Sequence, residues 1–101
     1  MNESVKTSLL RDAKLRLRLH ITSFDEEISD LIDAAVADLL NRNAIQESQL
    51  TDPMDPLIKR AIMTYVRAFF GTPEDPERLK ADYDEQKVTL MMTSGYTDWE
   101  A

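Results

Sequence analysis

His20 is the sole histidine and the chain has no cysteine, so nucleophilic or general-base chemistry would have to centre on that one imidazole. A histidine acting as a base needs a neighbour that orients its ring and fixes its tautomer. Asp25 follows closely in sequence, but no motif sets the geometry of the two. As a surface or boundary residue between helices, His20 needs no such partner. The second chemically suggestive group is Asp25, Glu26, Glu27, Asp30 and Asp33. On a helix Glu26, Asp30 and Asp33 share one face at i, i+4 and i+7, a spacing from which carboxylates could reach a divalent cation. A calcium loop instead alternates its ligands around a glycine turn. A helical di-metal site pairs glutamates with Glu-x-x-His motifs on facing helices. Neither pattern occurs, and the cluster reads as a solvated acidic face. Glycine is confined to Gly71 and Gly95, which excludes a glycine-rich phosphate loop. Catalytic, cofactor-binding and metal-ligating residues are therefore not expected. An enzyme survives only if His20 and the acidic face converge on a pocket.

Nucleic-acid recognition fares little better. A helix-turn-helix reader wants a basic second helix, and the second helical segment here is acidic. Lys59, Arg60 and Arg67 lie on the third segment, few in number and close to its apolar stripe. The net charge is −7, spread unevenly: +3 over residues 1–20, −7 over 21–52, +2 over 53–72 and −5 over 73–101. A general nucleic-acid binder needs a coherent basic face. The alternation does permit a basic segment of one copy to face an acidic segment of the next; solvated helix faces would show the same pattern.

Four helical segments must carry these residues. The first is expected from about Thr7 to Leu17, capped by Thr7 or Ser8, with Leu9, Leu10 and Ala13 on one side. Its end, Leu15-Arg16-Leu17-Arg18-Leu19, alternates with period two, so the helix ends early there or passes into an extended piece. In the second, Ile28, Leu31, Ile32, Ala35, Val36, Leu39 and Leu40 form a continuous apolar stripe. Ser23 and Glu26 are spaced as a capping box, and Asp25, Glu26 and Glu27 suit the positive end of the helix dipole. Asn41 to Asp52 reads as a polar connecting loop, and Asp52-Pro53-Met54-Asp55-Pro56 as turn and cap chemistry. The third helix follows Asp55-Pro56, with Ile58, Ala61, Ile62, Tyr65, Val66 and Phe69 on one side and Gly71 and Pro73 as its stop. A fourth is expected from Asp75-Pro76 to Met91 or Met92. Its stripe of Leu79, Tyr83, Leu90 and Met91 is narrow, Val88 is displaced from it, and it would dock only in part. A tail from Thr93 to Ala101 would follow. Its Tyr96 and Trp99 either fold back on the core or anchor on a partner. The five methionines could fill core gaps or mark an adaptable surface.

The expectation is thus an all-α fold, a small bundle of about four helices built on two central antiparallel amphipathic helices. At 101 residues, 43% hydrophobic and 31% charged, this is one domain, residues 1–101, with its core over about 7–71 and the C-terminal helix and tail over about 75–101. No run approaches the ~20 apolar residues that span a bilayer. Met1-Asn2-Glu3-Ser4 lacks the form of a secretory signal, so the chain reads as cytoplasmic and unprocessed.

Several strings, in this order and spacing, carry a resemblance. They are Ala13-Lys14-Leu15-Arg16-Leu17, Phe24-Asp25-Glu26-Glu27-Ile28, Leu31-Ile32-Asp33-Ala34-Ala35, and Leu57-Ile58-Lys59-Arg60-Ala61-Ile62 with Tyr65-Val66 and Phe69-Phe70-Gly71. Tyr83-Asp84-Glu85-Gln86-Lys87, Leu90-Met91 and Thr93-Ser94-Gly95-Tyr96-Thr97 complete the set. Over nearly its whole length the chain resembles the head–tail connector (adaptor) proteins of long-tailed bacteriophages, also labelled phage DNA-packaging proteins. The resemblance implies a structural, non-enzymatic virion protein without cofactors. Such a protein forms a homo-oligomeric ring, dodecameric on the portal protein, after DNA has been packaged. The ring extends the DNA exit channel and docks a stopper or tail-completion protein, and duplex DNA passes through it transiently and non-specifically. An acidic lumen suits that passage because it repels phosphates. The location implied is the virion's head–tail junction, and the host cytoplasm during assembly, with no membrane. Candidate interface residues are Arg11, Lys14, Arg16 and Arg18 toward an acidic neighbour, and Tyr83, Val88, Leu90, Met91, Tyr96 and Trp99 toward the portal or a neighbour. A small acidic regulator, binding one partner as a monomer or dimer, would share the composition and the core.

Overall fold

The computed structural model describes residues 1–93 with their side chains, and the backbone as far as Glu100. Helices α1 (Glu3–Leu17), α2 (Asp25–Asn41), α3 (Pro56–Phe69) and α4 (Pro76–Glu100) make up the fold, with a short 3-10 helix at Glu47–Gln49. No strand occurs among the described residues. The all-α bundle expected from the periodicities is what forms.

α1 begins earlier than Thr7. Asn2 is its cap, the side chain accepting a hydrogen bond from the Val5 amide at 2.8 Å. Its buried side is Val5, Leu9 and Ala13, an i, i+4, i+8 row. The period-two run does not become a strand. The helix closes after Leu17 because Arg18 takes a left-handed conformation, φ 58°. The Leu19 amide then reaches back to the Lys14 carbonyl at 2.9 Å, and the Arg18 amide to that of Leu15, a Schellman stop with an apolar residue after it. α2 ends in the same way, with Asn43 left-handed at φ 57° and the Ala44 amide on the Leu39 carbonyl.

The capping box expected from Ser23 and Glu26 does not form. Phe24 occupies the cap position without a side-chain bond, its ring edge-on to Phe70 at 5.5 Å. That packing fixes where the chain enters α2, and the acids of the first turn offset the helix dipole instead. α3 starts as its sequence indicates. Asp55 accepts from the Leu57 amide at 2.8 Å and Pro56 fills the first helical position. Asp55→Ala should cost about 1 kcal/mol and Asp55→Asn much less, read as shifts in the denaturant midpoint; equal midpoints for all three chains would contradict the capping role. Beyond α3, Gly71 adopts φ +63° with open space around its Cα, so the turn favours glycine through backbone conformation alone.

The stripes of α2 and α3 meet as expected. Ile28, Ile32, Leu39, Ile58 and Ile62 are fully buried between them and α1. Two expectations need correction. The 41–52 segment is more than a polar connection, since Ala44, Ile45 and Leu50 are buried in the core. The 3-10 helix between them is held by reciprocal bonds of Gln46 and Gln49. α4 runs past Met92 to Glu100, and docks along α3 over the part that reaches Leu90. Its inward row is Leu79, Tyr83, Lys87 and Leu90, with Tyr83 and Leu90 buried and the other two half-buried. A lysine in that row breaks the apolar count, although its stem is largely buried along the apolar surface.

Candidate functional site

Polar contacts between helices separate the two kinds of cation. Lys6 pairs with Asp33 at 2.8 Å, Lys14 with Asp25 at 2.8 Å, Lys59 with Asp12 at 2.7 Å and Lys87 with Asp38 at 2.9 Å. These contacts tie α1 to α2, α1 to α3, and α4 to α2. The Lys14–Asp25 contact is an ion pair whose geometry falls short of a hydrogen bond. Lys80 lies near Glu77 and over the Phe69 ring at 5.3 Å. Four of the five lysines are thus committed to close ion pairs within the chain, and Lys80 makes a looser one.

The arginines point outward. Arg11 and Arg42 approach carboxylates only loosely, at 3.9 and 4.0 Å. Arg16, Arg18, Arg60, Arg67 and Arg78 are exposed and make no ion pair among the described residues. Three of them come together, for Arg16 at the end of α1 lines a single groove with Arg60 and Arg67 of α3. Asp82 and Gln86 of α4 form its other wall. Arg16 was visible in the sequence as an interface candidate; Arg60 and Arg67 were not. Their i, i+7 spacing marks one helix face, but only the fold shows that α1 ends beside it.

Of the other candidates, Arg11 stays within its own helix turn, bonding Ser8 at 3.5 Å. Lys14 is spent on Asp25, and Arg18 at the α1 stop has no ion pair among the described residues. On α4, Tyr83 and Leu90 are covered by this chain's own helices, whereas Val88 and Met91 are 51% and 38% exposed. Met92, at 70%, extends that exposed patch. Tyr96 and Trp99 lie outside the described side chains.

Tyr83 organises the α4 seat. Its hydroxyl donates to Asp38 at 2.5 Å and its ring meets Tyr65 edge-on at 5.1 Å. Lys87 donates to the same carboxylate at 2.9 Å and sits over the Tyr83 ring. Burial opposes ionisation of Asp38, but the hydrogen bonds from Tyr83 and Lys87 and the charge of Lys87 outweigh it. The carboxyl therefore titrates below its ordinary value of 3.8. Burial first, then the bond to the Asp38 carboxylate, pushes the Tyr83 phenol far above its ordinary value.

This network has the form of a structural clamp rather than a catalytic centre, because its groups satisfy one another. His20 is exposed and lines a shallow depression with Asp25, and no hydrogen bond joins them among the described residues. No group of three or more potential ligands could hold a metal ion there, and no helix is long and apolar enough to cross a membrane; both statements concern the described residues. Compared with known proteins, the chain matches a protein-family model described as phage connector protein over residues 9–97. No curated protein and no solved structure matches.

Proposed function

We propose, from the premise that this chain belongs to the phage connector protein family, that it is a structural part of the virion's head–tail junction and works by assembling with other proteins. In this reading it forms a ring beneath the portal protein once DNA is packaged, dodecameric to match it. The ring lengthens the DNA exit channel and offers a surface to a stopper or tail-completion protein. It takes up its place from the host cytoplasm during assembly, and duplex DNA passes through it without sequence-specific contact. The observation that carries the reading is the extent of the family match, which reaches from α1 into α4. A net charge of −7 supports transit rather than capture of a polyanion.

The anchor toward the portal or a neighbour is proposed on the outer side of α4 at Val88 and Met91 with Met92; Tyr96 and Trp99, whose side chains are not described, are proposed as further anchor residues. Exposed apolar side chains beside a rigid seat are the composition of an interface core. Leu90 belongs to the domain's own core, so cutting the chain after Lys87 would damage the fold together with the anchor. The triple substitution V88S, M91S, M92S leaves Leu90 and Lys87 in place. It should lower attachment to connector-less, DNA-filled heads at least about tenfold, with helical circular dichroism unchanged. Undiminished attachment by this folded variant would remove the anchor from α4.

A further inference from the structure

We propose that the arginine groove receives the acidic outer face of α2 from a second copy of this chain. This deepens the assembly reading above and rests on it. Arg16, Arg60 and Arg67 line the groove, and none of them is in ion-pair contact with a carboxylate among the described residues. Lysines supply the close pairs between helices, and the side-chain cations without any ion pair among the described residues are arginines. The guanidinium is weakly hydrated and presents a planar fork that matches carboxylates, which suits it to ion pairs between molecules.

The complementary surface is present on the same chain. Glu26, Glu27 and Asp30 of α2 are exposed and make no ion pair among the described residues. None of them lines the groove, which is built from α1, α3 and α4. Ala34 and Ala37 continue the exposed face, so the helix can lie close against the arginine stems. The two surfaces belong to different parts of the molecule. A contact between them is therefore heterologous and propagates from copy to copy, closing into a ring at one rotation. A nucleic-acid backbone suits the groove less well. Asp82 stands within it and Glu85 flanks it beside Arg60; a few discrete carboxylates on a helix can be set on the arginines and away from these two acids, whereas a phosphate chain carries charge along its whole path and cannot avoid them.

The absence of cysteine allows a clean test. A34C places one thiol on the outer face of α2, and L57C places one at the exposed Leu57, in the cleft that continues from the groove beside Arg60. An arginine–carboxylate pair holds two backbones farther apart than a disulfide spans, so a short bismaleimide is the cross-linker. In an equal mixture of the two chains, the mixed adduct should exceed either like-with-like adduct. It should fall about tenfold when the L57C chain also carries R60E and R67E, and return when the A34C chain carries E26K and D30K. No preference for the mixed adduct, or one indifferent to charge reversal, overturns the pairing. The mixtures are run alone and on connector-less filled heads. Head binding without the mixed adduct defeats the pairing and leaves the connector reading standing; the adduct without head binding does the reverse. If R60E and R67E instead abolish retardation of duplex DNA and no mixed adduct forms, the groove takes phosphate and the proposal fails.

Discussion

Tyr83→Ala is expected to cost roughly 3–5 kcal/mol, a large part of the 5–15 kcal/mol typical of a whole domain. The ring is buried at 4% exposure and packs against Tyr65. Its loss opens a cavity between α3 and α4, and removal of the hydroxyl leaves Asp38 with Lys87 as its main hydrogen-bond donor. Tyr83→Phe keeps the ring and should cost only about 1 kcal/mol. Denaturant unfolding at neutral pH separates the two variants; equal midpoints would mean that α4 is not seated through this residue. The same network carries a pH dependence. Asp38 titrates below 3.8 in the folded protein, so its contribution is complete above that value and fades as pH falls through the lower folded one. Tyr83 is shifted the other way, and its contribution is complete below 10.0 and fades as pH rises above it. Asp38→Asn should flatten the acid arm of the stability profile. An acid arm unchanged in that variant would assign the effect to other carboxylates.

Ile62→Ala should cost roughly 2–5 kcal/mol, and Ile62→Val about 0.5–1.5 kcal/mol. Ile62 is fully buried at the centre of α3, where helices on both sides leave little freedom to collapse into the space. Unfolding followed by circular dichroism measures both variants. A cost for the alanine variant near that of an exposed substitution would mean that α3 does not form the centre of the core.

The central pair of helices was legible because their signals agree at every level. In α3, the Asp55-Pro56 start, the apolar row and Gly71 all mark the same element. α2 shows the limit of local motifs. Ser23 and Glu26 have the spacing of a capping box, yet a tertiary contact between Phe24 and Phe70 sets the entry angle and leaves that motif unused. The inward row of α4 was hard to read for a related reason. Lys87 and Tyr83 face inward to share Asp38, and a polar residue satisfied across helices is invisible to an apolar periodicity. Ala44, Ile45 and Leu50 were hidden among polar neighbours in the 41–52 segment, where no regular period displays them.

Less of the interaction surface could be read in advance. Arg16 was identified from the basic run of α1, and Val88 and Met91 from the C-terminal helix. Lys14, Tyr83 and Leu90 have partners within the chain. The arginine groove depends on a meeting of α1, α3 and α4, and sequence spacing within one helix cannot show which helices converge. The division between paired lysines and free arginines appears only once the ion pairs are assigned.

The measurement that bears most directly on the connector reading is co-sedimentation of the purified protein with DNA-filled phage heads that lack their connector. Stoichiometric binding that stops DNA leakage or permits tail attachment is the predicted result. A folded protein that fails to bind properly filled heads would contradict the reading and favour a small acidic regulator with a bacterial target.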